Sequence, residues 1–279
     1  MKTIIIPTDF SPGATAAMNY GLNMAKSIGA SVMLFHVYNI PVAISETTVM
    51  PIVPLDEVTK NAEDKMAELL EKTEHVVSNE VKISTKTSMG DIVDELEEVC
   101  KQLKPFAVVM GASGLSGLGR ALMGSTTLTA IRQLTCPVLS VPVGKDFGTG
   151  IKKIGFACDF RDVVETTPVN EIRDVVKTFN AELHILNVDY KDYSANHNQD
   201  TPEQAVLLHN ILGDLKAEYH AINNKDVGDG ISEFAENNNL DLIIAIPKKH
   251  KLLDGLFKSS STKKLIFHSH IPIMCIHED

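Results

Sequence analysis

The stretch richest in chemistry is Gly111-Ala112-Ser113-Gly114, followed after nine residues by Gly124-Ser125-Thr126-Thr127. It comes after Val108-Val109-Met110, an apolar run that reads as a buried strand, and before Leu128-Thr129-Ala130-Ile131, which reads as a helix start. Glycines at a strand end let backbone approach a ligand closely, because no Cβ intervenes. Ser125 and Thr126 set N–H groups and hydroxyls at a helix N-terminus, where the helix dipole favours an anion. This chemistry suits phosphate. A flexible surface loop ending in a capped helix fits the same spacing, since glycine-rich loops are common.

Asp9, at the end of the first predicted strand, has two readings. It anchors the helix that follows, or it stands in a crevice where it accepts hydrogen bonds from a ribose or holds a phosphate-bound metal. His36, on an apolar strand beside Val37, reads as a hydrogen-bonded core histidine rather than a catalyst. His268, His270, Cys275 and His277 crowd the C-terminus and are zinc-ligand types. The expected frame of helix end, strand and tail separates them, so no metal site is expected there. No GxxxxGK, GxGxxG, HExxH or GxSxG motif occurs. The four cysteines, Cys100, Cys136, Cys158 and Cys275, form no CxxC pair and read as buried thiols of a reducing compartment.

These groups need elements to position them. Thr3–Pro7 is a short buried strand. Ser11 reads as an N-cap and Pro12 as the first residue of a helix to about Ile28, with Ala14, Met18, Leu22, Ala25 and Ile28 as its apolar stripe. Gly29 stops it. Strand Val32–Val37 follows, then an irregular, proline-containing excursion over residues 39–55. An amphipathic helix spans Asp56 to about Val77, and Val81–Thr87 reads as a strand. A helix opening at Gly90-Asp91, strand Phe106–Met110, the glycine loop, helix Ser125–Leu134 and strand Val138–Val141 complete the unit. Such strand–helix alternation predicts an α/β fold with a mostly parallel, five-stranded, doubly wound sheet and helices on both faces. Ligands of such sheets sit at the carboxyl ends of the strands, where strand order reverses. Asp9, Val37 and Gly111 all fall at predicted strand ends and could surround one crevice.

The unit is repeated. KKIGFACDF at 152–160 restates KTIIIPTDF at 2–10, an offset of 150. Gly228-Asp229 restates Gly90-Asp91 at 138, and Leu242–Ile246 restates Ala107–Gly111 at 135. His270-Ile271-Pro272-Ile273 restates Thr135-Cys136-Pro137-Val138, also at 135. Two tandem domains are therefore expected, 1–143 and 151–279, joined near Val143–Gly150, a glycine-containing linker. At the 135 offset Gly111 becomes Ile246, Gly114 becomes Lys249 and Gly124 becomes Ser259; Ser125 alone keeps its type, as Ser260. The second loop thus reads as degenerate. An alternative is a changed site, since Lys248, Lys249, Lys251, Lys258, Lys263 and Lys264 face only Asp254 in that segment, and lysines bind phosphate as point charges.

The chain of 279 residues is 44% hydrophobic and 22% charged, ordinary for a globular protein of two domains. A net charge of −10 argues against general nucleic-acid binding. No apolar run approaches the roughly 20 residues of a membrane span, and the N-terminus does not read as a signal peptide. A cytoplasmic protein, with no membrane or nucleic-acid partner, is the expectation.

The pattern G-x2-G-x9-G-[S/T] formed by Gly111, Gly114, Gly124 and Ser125 resembles the nucleotide-binding signature of the universal stress protein family. MKTIIIPTDFS resembles that family's opening strand with its Asp, VMLFHV its second strand, and Thr135-Cys136-Pro137-Val138-Leu139 its closing strand. The repeat resembles the family's tandem form, in which two copies pair like a dimer within one chain. The resemblance implies a fold of the adenine-nucleotide alpha-hydrolase type and a site that binds ATP, with or without Mg2+. The implied contacts are Pro7, Thr8, Asp9, Val37, Met110, Gly111, Gly114, Gly124, Ser125 and Thr126. Val37 would meet adenine, Gly111 and Gly114 ribose and phosphate, and Gly124, Ser125 and Thr126 phosphate oxygens. The implied function is a stress-response sensor or adaptor with an unidentified protein partner. No evident base activates water, so any hydrolysis should be slow. A slow nucleotide hydrolase and a nucleotide-free interaction module are the other readings. Two such chains could pair further through edge strands after Pro137 or Pro272.

Overall fold

A computed structural model describes residues 1–40, 42–44, 49–77, 80–112, 124–189, 201–247, 265 and 269–278. The first copy opens with β1 (Thr3–Pro7), whose Ile4, Ile5 and Ile6 are fully buried. Helix α1 (Pro12–Ile28) starts where Ser11 Oγ accepts the Ala14 N–H and ends at Gly29, whose φ of 63° only glycine adopts freely. Its buried face takes in Met18, Leu22 and Ala25 of the expected stripe, with Ala14 and Ile28 only half-buried, and extends to Ala17, Gly21 and Met24. A Cβ at Gly21 would stand 2.7 Å from Ile6 Cδ1, so a glycine permits the helix to seat this closely on the sheet.

After β2 (Ser31–Tyr38), the excursion expected to be irregular contains an antiparallel pair, β3 (Val42–Ile44) and β4 (Val49–Pro51). Pro51 is tolerated because a two-stranded ribbon leaves N–H positions outside the ladder. Helix α2 (Leu55–Val77) leads to β5 (Ile83–Met89), two residues later than the alternation placed it. The shift follows from its partner: Val32 pairs with Ile83 and Tyr38 with Met89, and that register exposes or buries the side chains. Then come α3 (Ile92–Leu103), β6 (Ala107–Gly111), α4 (Ser125–Gln133) and β7 (Val138–Val141).

The second copy runs β8 (Lys153–Ala157), α5 (Val163–Thr166), α6 (Val169–Phe179), β9 (Glu182–Asp189), α7 (Thr201–Leu212), β10 (Glu218–Asn223), α8 (Val227–Asn237), β11 (Leu242–Ala245) and β12 (Ile273–Cys275). Its first helix is broken into α5 and α6 at Pro168, which has no N–H to continue the ladder. The registers repeat: Ile4 pairs with Ala107 as Ile154 pairs with Leu242, and Val108 with Val138 as Ile243 with Ile273. One matched pair is corrected. Asp91 caps α3 by accepting the Val93 N–H, and its counterpart is Asp226, which caps α8 by accepting the Asp229 N–H. Gly228-Asp229 lies inside the first turn of α8, so its likeness to Gly90-Asp91 is incidental.

Both copies share one ten-stranded sheet, ordered β10-β9-β8-β11-β12-β7-β6-β1-β2-β5. Every neighbouring pair in it is parallel except β12–β7, which is antiparallel and joins the copies through Ile273–Ser140, Met274–Leu139 and Cys275–Val138. The strands after Pro137 and Pro272 are therefore consumed by each other, which overturns the expectation that they could pair two chains. The outer edges are β5 and β10. Away from the seam, Lys2 pairs with Asp174 and Phe106 meets Phe179 edge-on at 6.0 Å. The linker is pinned rather than loose: Phe147 is buried edge-on against Tyr20 at 5.3 Å. Burial there pushes the Tyr20 hydroxyl pKa well up. No helix of the described residues is long and apolar enough to cross a membrane.

Candidate functional site

Strand order reverses between β1 and β6 in the first copy and between β8 and β11 in the second. A crevice at the carboxyl ends follows from that topology. In the first copy the turn leaving β1 is built by its own side chains. Thr8 Oγ1 accepts the Phe10 N–H at 3.0 Å, and Asp9 Oδ1 accepts the Ser11 N–H at 3.0 Å. Phe10 takes φ 62°, a left-handed conformation uncommon for a bulky residue. The anchoring role read for Asp9 is thus observed at one oxygen, while its side chain stays exposed at the strand end. Pro7 and Thr8 are buried; the Thr8 N–H donates to the Phe35 carbonyl at 2.8 Å.

His36 Nδ1 lies 2.8 Å from the Thr8 carbonyl, an acceptor, so Nδ1 carries the proton and donates. Its ring rests on Phe10 at 4.6 Å. The second copy repeats this turn with other side chains. Cys158 replaces Thr8, Phe160 is again left-handed at φ 51°, and Asp159 Oδ1 accepts the Arg161 N–H. Asn187, the counterpart of His36, donates from Nδ2 to the Cys158 carbonyl at 2.9 Å. An amide in the same job shows that the imidazole serves as a strut. His36→Asn should therefore leave the melting temperature nearly unchanged, whereas His36→Ala, which orphans the Thr8 carbonyl, should cost about 1–2 kcal/mol in a denaturation series. Equal costs for the two variants would refute the strut.

Val37 is half-buried near the end of β2, opposite Ser88. Met110 is buried in β6, and Gly111 ends it. Gly114 lies outside the described residues. Gly124, buried, begins α4 with no side-chain cap, so the first N–H groups of that helix have no hydroxyl or carboxylate from the capping position. Ser125 is exposed and Thr126 half-buried at its first turn. The two ends of the glycine loop meet: the Gly124 N–H donates to the Ala112 carbonyl at 3.3 Å, and Thr127 Oγ1 donates to the Gly111 carbonyl at 2.8 Å. Thr127 stands two residues beyond Ser125, the last position of the signature, and its hydroxyl role is visible only in the structure. The structure accordingly brings Asp9, Val37, Met110 and Gly111 to adjacent strand ends, with Gly124, Ser125 and Thr126 tied to the last of them. In the second copy Ile246 and Pro247 follow β11, and the lysine-rich segment 248–264 lies outside the described residues.

The remaining candidates are placed elsewhere. His270 is exposed, His277 half-buried, and Cys275 lies fully inside the seam, where burial pushes its thiol up to about 12; His268 is outside the described residues. None of the four cysteines is in a disulfide, but Cys158 is only half-buried, against expectation, because it sits in the turn after β8. Cys136 hydrogen-bonds with Cys100, and that contact together with burial raises its pKa well above the thiol range. An open groove of about 710 Å³ lies at the opposite, amino ends of the strands, lined by Met1, Phe106, Pro137 and Asp174 among others, and shares no residue with the crevice.

A doubly wound α/β domain, duplicated and fused through its closing strands, with a glycine loop at the first switch point, is the class these features define. The model of the universal stress protein family matches residues 1–142 and again 150–277, and the chain belongs to that family. A universal stress protein of Methanocaldococcus jannaschii is 31% identical over 147 residues, which are 50% of this chain and 81% of that one. The universal stress protein YxiE of Bacillus subtilis is 26% identical over 143 residues, 50% of this chain and 97% of the relative. A universal stress protein from Archaeoglobus fulgidus shares the fold over the whole length. Its TM-score is 0.75 at 19% identity, with 99% of this chain and 98% of that chain covered.

Proposed function

We propose that this protein binds one adenine nucleotide, ATP in the first instance, in the crevice of the first copy and works as a sensor or adaptor in the stress response. The carrying observation is the junction of Gly111, Gly124 and Thr127. It sets the glycine end of β6 against the N-terminus of α4, whose capping position, Gly124, makes no side-chain bond and where backbone N–H groups and the helix dipole favour phosphate oxygens. Gly124, Ser125 and Thr126 take phosphate, Gly111 lines ribose and phosphate, and Val37 with Met110 borders the base; the same role for Gly114, outside the described residues, rests on the signature alone. Pro7 and Thr8 form the crevice wall. The Asp9 oxygen not engaged by Ser11 reaches a ribose hydroxyl or a phosphate-bound Mg2+; an exposed carboxylate with one anchored oxygen suits either.

His36 Nδ1 braces the Thr8 carbonyl and one Asp9 oxygen holds a turn; with no evident base in the sequence to activate water, turnover is expected to be slow. The second copy, with Ile246 in place of Gly111, has lost the close backbone approach. The test is mass spectrometry of what denaturation releases from protein purified without added nucleotide, followed by an ATP titration. About one adenine nucleotide per chain is expected. Two would assign a second site to the lysine-rich segment of the other copy. No binding at millimolar ATP would leave a nucleotide-free interaction module.

A further inference from the structure

Among the described residues, one group of metal-ligand side chains converges outside the nucleotide crevice. His184 on β9 pairs directly with Glu218 on the edge strand β10, and His220 follows Glu218 by two residues, on the same face of the sheet. His184 Nδ1 stands 3.0 Å from His220 Nε2 and 3.6 Å from Glu218 Oε2, and the last two are 3.8 Å apart. A tetrahedral ion held at about 2.0–2.2 Å by nitrogen and carboxylate oxygen needs ligand atoms about 3.3–3.5 Å apart. The observed triangle brackets that edge, so small side-chain rotations suffice.

We propose that His184, Glu218 and His220 bind a zinc-class divalent cation, with one coordination position left open. Four observations support it. His184 is buried, 7% exposed, and its Nε2 has no hydrogen-bond partner. When Nδ1 ligates, Nε2 carries the proton and points toward Glu182 Oε2, 3.8 Å away, the carboxylate–histidine–metal arrangement that orients ligating imidazoles. The His220 ring is backed by Phe234 of α8 at 4.8 Å, which limits its motion.

The fourth observation is the other copy. The strand registers place Met33, Ser84 and Lys86 where the second copy has His184, Glu218 and His220. The fold does not demand ligands at these positions; this copy alone carries them. Two carboxylates, Glu182 and Glu218, stand 3.8 and 3.6 Å from His184, and Lys153 of β8 pairs with Glu182 in the strand register. Imidazole and carboxylate donors suit Zn2+, Ni2+ and Cu2+ better than Mg2+ or Ca2+. The ion ties the outer strand of the sheet to its neighbour.

The test is Zn2+ titration of the metal-stripped, nucleotide-free full chain against a chromophoric chelator under reducing conditions. It is repeated on His220→Gln and Glu218→Gln, whose side chains lie far enough out to leave folding intact, as melting in chelator verifies. One tight Zn2+ per chain is expected, with a higher melting temperature when bound. His220→Gln should weaken binding at least about tenfold and Glu218→Gln should weaken it measurably. The proposal fails if the parent chain does not compete with the chelator. It fails equally if His220→Gln binds Zn2+ as tightly as the parent, which would put the ion on other histidines or cysteines.

Discussion

Replacing Gly124 by valine is expected to weaken ATP binding by at least about tenfold, some 1.4 kcal/mol, in calorimetric titration. The backbone there has φ −63° and ψ 96°, a conformation open to any residue, so no strain accompanies the change. What changes is space. Gly124 is buried between the Ala112 carbonyl, to which it donates, and the first turn of α4. In the proposed site, an isopropyl group there would crowd the approach of phosphate to the N–H groups of Ser125 and Thr126. Ser125→Ala, which removes one hydroxyl and no backbone donor, should cost less. A Gly124→Val chain that melts like the parent and binds ATP unchanged would remove the phosphate from this helix end.

The second large effect belongs to the seam. Leu139 and Met274 are both fully buried and pair across β7 and β12. Leu139→Ala should cost about 3 kcal/mol through lost burial and the cavity left behind. For a chain of this size that lowers the melting temperature by roughly 6–12 °C. Three residue pairs join the two halves of the sheet, and one hydrophobic core runs through both copies, so calorimetry should show one transition in the parent chain. Two resolved transitions, with the second copy unmoved by Leu139→Ala, would show that the seam does not couple them.

The two effects read different parts of the molecule. Gly124→Val acts on ligand affinity and leaves the seam alone. Leu139→Ala acts on the union of the copies and touches no proposed nucleotide contact. Measured together on one preparation, they separate a failure of the site from a failure of the fold.

Much of this architecture is written in local patterns. The isoleucine run of β1, the Ser11-Pro12 start and Gly29 stop of α1, and the strand after Pro137 need only their own residues to declare them, because burial periodicity and caps act over a few positions. The repeat is legible for the same reason, and the glycine loop carries its signature in residues lying close along the chain. What the sequence could not specify is what depends on partners far along the chain. The start of β5 is set by β2, the counterpart of Asp91 by the start of α8, and the use of the edges after Pro137 and Pro272 by their pairing with each other. His184 reads as one more strand residue until β10 brings Glu218 and His220 beside it. His36 shows its role only when Asn187 is found bonding the equivalent carbonyl. Periodicity records which face of an element is buried; register and sheet order, decided by packing over the whole chain, determine which side chains meet there.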